Sequence, residues 1–276
     1  MTIVRTIDDA RRALACHAGS TIGLVPTMGA FHEGHVALFR TARRACDVVV
    51  VSLFVNPSQF GDPADLAAYP RDEARDARMA EDAGVDYVFA PNVEEMYRPD
   101  HATWIDVAGS ANGLEGEYRP GHFRGVATIC LKLFNAVKPH VAFFGQKDAQ
   151  QVAVVKQMVG DLDLDLEIRV LPTVRDVDGL ALSSRNVRLS REERVRALAI
   201  PRALDAGVAA WRAGADPVAA ARATLGDLEP EYVAVADFGG QPTLLIAARV
   251  GRTRLIDNAP LTTTVPLDTE GTNTRT

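Results

Sequence analysis

From Val48 to Val55 the chain reads Val-Val-Val-Val-Ser-Leu-Phe-Val, apolar at every position except Ser52. A strand with one wet face alternates apolar and polar side chains, whereas a parallel strand covered by helices on both faces has no polar positions to alternate with. The run therefore predicts a central parallel strand. Its flanks agree: Ile22 to Pro26 is a shorter apolar run that meets Gly29 and Gly34, as a strand feeding a turn does. Between the two runs, Glu33 to Ala45 has helical spacing, with Val36 and Phe39 on one side and Arg40, Arg43 and Arg44 mostly on the other.

The alternation continues. A charged helix is predicted over Arg71 to Ala83, ending at Gly84, then a strand over Val85 to Phe89, then a long apolar helix over Phe123 to Val137 that Pro139 stops. Strands at Val141 to Phe144 and Glu167 to Leu171 flank a helix from about Asp148 to Val159. Strands alternating with helices predict a largely parallel, doubly wound α/β sheet with right-handed crossovers.

After about Thr173 the texture changes. A capping box from Ser190 to Glu193 opens one helix, an alanine-rich helix starts at Asp216, and two late strands lie near Tyr232 and Leu244. With 276 residues the chain exceeds a typical single domain. The expected division is 1–173 for the doubly wound domain, 174–261 for a smaller α+β domain, and a poorly ordered tail over 262–276, rich in Thr, Asn and Asp.

Composition removes several classes of function. A formal charge of −6 argues against nucleic-acid partners, which call for a basic face. Asp8, Asp9, Arg11 and Arg12 break up any leader-type apolar core, and no segment approaches membrane-spanning length, so a protein that stays in the cytoplasm and off the membrane is expected. Cys16, Cys46 and Cys130 are odd in number and widely spaced, which suggests buried thiols rather than a disulfide framework or a zinc knuckle.

Four segments carry chemistry. In Pro26-Thr27-Met28-Gly29-Ala30-Phe31-His32-Glu33-Gly34-His35 two imidazoles flank a glycine where a strand hands over to a helix. Helix N-termini hold anions, so the imidazoles suit phosphate oxygens, and Gly34 leaves room for a nucleobase or ribose. A metal pair and two ordinary surface histidines are the rivals, although the spacing is not the H-E-x-x-H of zinc proteases. Asn56-Pro57-Ser58-Gln59 follows the central strand, where doubly wound sheets collect ligands, and is equally compatible with a plain Asn-Pro turn. Gly145-Gln146-Lys147-Asp148-Ala149-Gln150-Gln151 offers a cation for a triphosphate and a carboxamide for a small polar acid, alongside a turn capped by Asp148. Leu182-Ser183-Ser184-Arg185 joins two hydroxyls to a permanent charge. A further basic segment, Glu117 to Gly125, reads as an exposed loop.

Taken in order, these segments together with Ala247 to Gly251 and Arg254 to Asn258 resemble the pantothenate synthetase family, within the two-histidine nucleotidyltransferases. The resemblance implies a Rossmann-like first domain, a homodimer formed through it, and condensation of pantoate with β-alanine through a pantoyl adenylate, with ATP as co-substrate and Mg²⁺ beside it. It further implies an ATP site of Met28, Gly29, Ala30, Phe31, His32, Glu33, Gly34, His35, Gly145, Gln146, Lys147, Asp148, Val174, Leu182, Ser183, Ser184 and Arg185. His35 would be the proton donor with His32 beside it, Lys147 and Arg185 the phosphate cations, and Gln59 and Gln151 the pantoate ligands, Gln59 also near β-alanine. The metal ligands stay unassigned, with Asp76 and Asp148 as possible contacts. The family usually has Glu at position 146, Met at 182 and Tyr at 149, where this chain has Gln146, Leu182 and Ala149. Loss of charge at Gln146 leaves an ATP-binding paralogue of low activity as the alternative, and a cytidylyltransferase-like enzyme that stops at nucleotide transfer as another.

Overall fold

The computed structural model describes residues 1–262. The expectation of a poorly ordered tail therefore lies, from residue 263 onward, outside the described residues. Six strands, β1 (Thr2–Val4), β2 (Ile22–Thr27), β3 (Val48–Leu53), β4 (Tyr87–Phe89), β5 (Val141–Gly145) and β6 (Glu167–Leu171), form a sheet in the order β1-β4-β3-β2-β5-β6. Every pairing in it is parallel, with Ile22 opposite Val48, Gly23 opposite Val141 and Val141 opposite Glu167. Its helices are α1 (Ile7–Ala15), α2 (Glu33–Ala45), α3 (Pro63–Ala67), α4 (Glu73–Asp82), α5 (Val93–Met96), α6 (Glu115–Tyr118), α7 (His122–Val137) and α8 (Ala149–Asp161). A second, antiparallel sheet of β7 (Pro230–Asp237), β8 (Pro242–Val250) and β9 (Thr253–Pro260) accompanies α9 (Arg191–Ala197), α10 (Ala199–Arg212) and α11 (Pro217–Thr224).

Strand β3 shows why its sequence lacks alternation. Val48 and Val50 enter one core with Leu24, Phe123, Leu133 and Phe144, while Val49 and Val51 enter the other with Val25, Phe31, Phe39 and Phe143. Successive side chains point to opposite faces and both faces are buried. The second sheet packs Leu244, Ile246 and Val250 against Ile200, Leu204 and Ala221 in a core of its own.

Several boundaries differ from those predicted. β3 ends at Leu53, because Phe54 leaves the ladder for the core beside α7 and Asn56 caps a short 3-10 turn over Pro57–Gln59. β4 starts at Tyr87, since Gly84 at φ 81° is still turning the chain there. Cys16 is exposed at the end of α1, while Cys46 and Cys130 are buried. β1, α1, α10 and β9 were not anticipated; α10 carries Pro201 in its first turn, where no helical N–H is lost.

From β2 the chain moves outward in one direction through β3 and β4, which pairs with the edge strand β1, then crosses back to the other side of β2 for β5 and β6. The reversal lies between β2 and β5. In open α/β sheets the loops leaving such a switch point diverge and open a crevice at the carboxyl ends of the strands. The two-histidine segment leaves β2 there, and the Gly145–Gln151 segment leaves β5.

Candidate active site

The turn after β2 is held from below by one buried carboxylate. Asp76, on α4, accepts from the N–H groups of Ala30 (2.7 Å) and Phe31 (2.8 Å). Gly29 and Ala30 both have positive φ, 85° and 54°, a conformation a non-glycine residue adopts at some strain. Phe31 is thereby driven into the core against Phe39, and His32 is delivered to the head of α2.

The histidines themselves cap the helix. The Gly34 N–H donates to His32 Nδ1 (3.1 Å) and the His32 N–H donates to His35 Nδ1 (3.3 Å), a capping box made of imidazoles. Burial, reinforced by the Lys147 charge, pushes His32 down to about 4, and burial with His32 as neighbour pushes His35 down to about 3. Both rings are neutral at pH 7 with Nδ1 as acceptor, so each carries its proton on Nε2. A Cβ on Gly34 would lie 2.9 Å from the His32 ring. The glycine thus makes room first for its own neighbour.

Across the crevice, Asn56 is buried and its Nδ2 donates to Gln59 Oε1 (3.0 Å) and to the Gly125 carbonyl (3.1 Å). Gln59 Nε2 points at Met28 Sδ (3.0 Å). The Asn-Pro turn and the cavity-lining glutamine are one structure. On the β5 side, Asn258 of β9 donates to the carbonyls of Gln146 and Lys147 (2.9 Å each), and Gln146 Nε2 donates back to Asn258 Oδ1 (3.4 Å). Gln146 thereby fastens the loop to the second sheet. Asp148 makes no capping hydrogen bond; its carboxylate lies 3.8 Å from Lys147 Nζ. Gln150 faces away and grips the carbonyls of Ser110, Asn112 and Gly113, which leaves Gln151 on the crevice wall.

A cavity of about 230 Å³ brings these groups together. Met28, His32, Gly34, His35, Gln59, Gly145, Lys147, Asp148, Gln151, Val174, Leu182, Ser183, Ser184 and Arg185 all line it. Gly29, Ala30, Phe31, Glu33 and Gln146 do not: Phe31 is in the core, Glu33 faces Arg40 on the outside, and Gly29 borders a separate recess. Asp76 accepts from two backbone N–H groups and borders the separate recess, so among the described residues Asp148 is the one carboxylate on the cavity wall. Arg185 donates to Asp65 of α3 (3.2 Å), and Arg188 holds the other oxygen (2.9 Å).

Among the residues of this wall that were missed, beside Tyr69, are two from one basic segment. Arg119 and His122 belong to the segment read as an exposed basic loop, yet His122 is buried and Arg119 largely so. His122 Nδ1–H donates to the Gln59 carbonyl (3.0 Å), leaving Nε2 to accept from Arg119 Nη1 (3.1 Å). Burial and the Arg119 charge push His122 down to about 4. The available signal was the Pro120-Gly121 turn, which sets His122 at the mouth of an apolar helix. The wall therefore carries three cations, Arg119, Lys147 and Arg185, against Asp148.

A family model described as pantoate-beta-alanine ligase matches residues 2–260. A pantothenate synthetase of Rhizorhabdus wittichii is 52% identical over 276 residues, covering 94% of this chain and 98% of its own. One from Pelotomaculum thermopropionicum is 48% identical, covering 95% and 99%. The crystal structure of pantothenate synthetase from Thermus thermophilus superposes with a TM-score of 0.90 at 42% identity, over 95% of this chain and 99% of that one. The pantoate-beta-alanine ligase of Francisella tularensis, complexed with beta-gamma ATP and beta-alanine, superposes with a TM-score of 0.82 at 34% identity, over 95% and 98%.

Proposed function

The chain belongs to the pantoate-beta-alanine ligase family, and from that premise we propose how its residues divide the work. The activity is ATP-dependent ligation of pantoate to β-alanine through pantoyl adenylate. The observation that carries the assignment is the convergence in one crevice of two Nε2–H imidazoles, three cations and two carboxamides.

A carboxylate is a poor acyl donor, so the pantoate oxygen first attacks the α-phosphate of ATP, the bond to the β-phosphate breaks, and pyrophosphate leaves. Charge grows on the phosphate oxygens during that step. Lys147 and Arg185 supply positive charge there, Arg185 after exchanging Asp65 for phosphate, and His32 and His35 donate through Nε2–H as preorganised groups that need no rearrangement. Ser183 and Ser184 add hydroxyl donors, and the Val174 and Leu182 backbone closes the base end. Mg²⁺ would be held by Asp148 and the phosphates, in keeping with its preference for one or two carboxylates plus substrate oxygens, and would neutralise part of the pyrophosphate charge.

In the second step the amine of β-alanine attacks the acyl carbonyl, the bond to AMP breaks, and the amine loses a proton. That amine titrates near about 10, so little of it is neutral at pH 7. Holding it against the adenylate compensates, since oriented pairs reach effective concentrations of about 10⁵ M or more. Gln59 and Gln151 donate to and accept from pantoate. The β-alanine carboxylate stays charged throughout, and Arg119, tied to Gln59 through His122, is the cation placed to hold it.

We further propose a first domain over 1–173, a second over 174–261 that closes the crevice, a cytoplasmic homodimer, and no nucleic-acid or membrane partner. The test is incubation with ATP, Mg²⁺, pantoate and β-alanine, with single omissions and a His35→Ala control. AMP and pantothenate in equal amounts, with all substrates present and lost in the control, support the assignment; pyrophosphate release independent of pantoate would refute it.

A further inference from the structure

Behind Arg119 lies a chain of charges that the chemistry above does not touch. Glu115, the first residue of α6, is buried and accepts from Arg254 Nη1 (2.7 Å) and Nη2 (2.6 Å) and from the Tyr232 hydroxyl (2.7 Å). Arg254 stands on β9 of the second sheet, and its Nε also donates to Glu231 Oε2 (2.6 Å). Arg119, four residues after Glu115, approaches the same carboxylate no closer than 3.5 Å and instead donates to His122.

Two guanidinium groups thus face one buried carboxylate: Arg254 is hydrogen-bonded to both of its oxygens, whereas Arg119 is held only in a longer ion pair at 3.5 Å. Glu115 cannot be left bare, because a buried charge without a partner is strongly unfavourable. If Arg254 were absent, the nearest remaining cation is Arg119, and a small rotation would close its gap to Glu115. That rotation takes the guanidinium off His122 and away from the cavity wall.

We propose that Arg254 is a positioning residue for Arg119: by occupying both oxygens of Glu115, it keeps the Arg119–Glu115 pair long and the Arg119 guanidinium on the cavity wall, available to a substrate carboxylate. This rests on the assignment of Arg119 to β-alanine made above. It also gives the second sheet a direct part in the amine site, since Arg254 reaches it only while β9 is docked against α6.

The test compares Arg254→Met, Arg254→Lys, Glu115→Gln, the double variant Arg254→Met/Glu115→Gln and Arg119→Ala, each checked for folding by near-UV circular dichroism. Steady-state KM is measured for all three substrates, with pantoate-dependent ATP–pyrophosphate exchange as a readout of the first step alone. Arg254→Met should raise KM for β-alanine on the order of tenfold while exchange stays within about twofold. Neutralising Glu115 removes the pull on Arg119, so the double variant should recover most of that loss, which a merely destabilised protein would not do. If Arg254→Met does not fold, Arg254→Lys carries the test: its single ammonium covers Glu115 less completely and should give an intermediate rise. An unchanged β-alanine KM in folded Arg254 variants, or no recovery in the double variant, overturns the proposal. An unchanged KM in Arg119→Ala shows instead that the assignment of Arg119 is at fault.

Discussion

Gly125, one turn into α7, is the point where two backbones meet beside the crevice. A Cβ built there lies 2.6 Å from the carbonyl carbon and oxygen of Ser58 and 2.7 Å from the Gln59 nitrogen. All three atoms are main chain, so no rotamer change relieves the clash, and reaching ordinary contact at 3.4 Å requires the 3-10 turn or the helix to yield by about 0.8 Å. Overpacking of this kind destabilises by about 1–3 kcal/mol, which for a chain of this size lowers the melting temperature by about 2–10 °C. The turn that must move carries Gln59, and displacement of a substrate-positioning group by about 1 Å can reduce rate on the order of 10²-fold. Gly125→Ala should therefore lose about that factor in kcat/KM for pantoate, measured by AMP formation well below the melting temperature, with ATP binding little changed. Gly207→Ala is the control: its Cβ would meet Leu244 Cδ2 at 2.3 Å and the Pro217 carbonyl at 2.9 Å, in the core of the second sheet. It should lose comparable stability and keep its turnover. Wild-type pantoate kinetics in Gly125→Ala would show that this close approach does not place Gln59.

Asp65→Asn should lower the ATP KM by up to about fivefold, the equivalent of the ~1 kcal/mol upper value for a partly exposed ion pair, because Arg185 no longer has to leave a carboxylate before meeting phosphate. A higher KM would mean that the contact helps to build the site. His32, His35 and His122 are all pushed far below 6.5 by burial, so the unfolded chain takes up protons before the folded one does. Each should then reduce stability as pH falls from 6.5 toward about 4, by up to about 1.4 kcal/mol per pH unit, with no contribution above 6.5. Imidazole NMR titrations should show His32, His35 and His122 still neutral at pH 5; titration of these three near 6.5 would refute it.

The first sheet was legible because its signals are local. β2 begins at the residue where its apolar run begins, β6 spans the predicted Glu167–Leu171, and α2 spans the predicted range because His32 and Gly34 mark its start. Three of the loops that line the cavity follow β2, β3 and β5, whose ends were read to within two residues. What escaped depends on distant partners. Arg119 resembles any loop cation until Glu115, Arg254 and His122 are seen around it. β9 reads as a polar stretch because Asp257 and Asn258 are buried, one paired with Arg175 and the other tied to the Gln146–Lys147 backbone. Cys16 looked like a buried thiol because nothing in a sequence tells which end of a short helix faces water.

The imidazole capping box has a consequence for how this site is dissected. Turning either ring over would leave a backbone N–H at the head of α2 without its acceptor, at a cost of about 1–3 kcal/mol. The positions of both site protons are thus settled by folding, before any nucleotide arrives. Alanine at position 35 or 32 removes a helix cap along with the proposed phosphate donor, and so mixes two losses in one number. Asparagine at position 32, whose short side chain can still cap while its amide no longer reaches the phosphates, separates them: amide exchange in the first turn of α2 reports the cap, and turnover reports the chemistry.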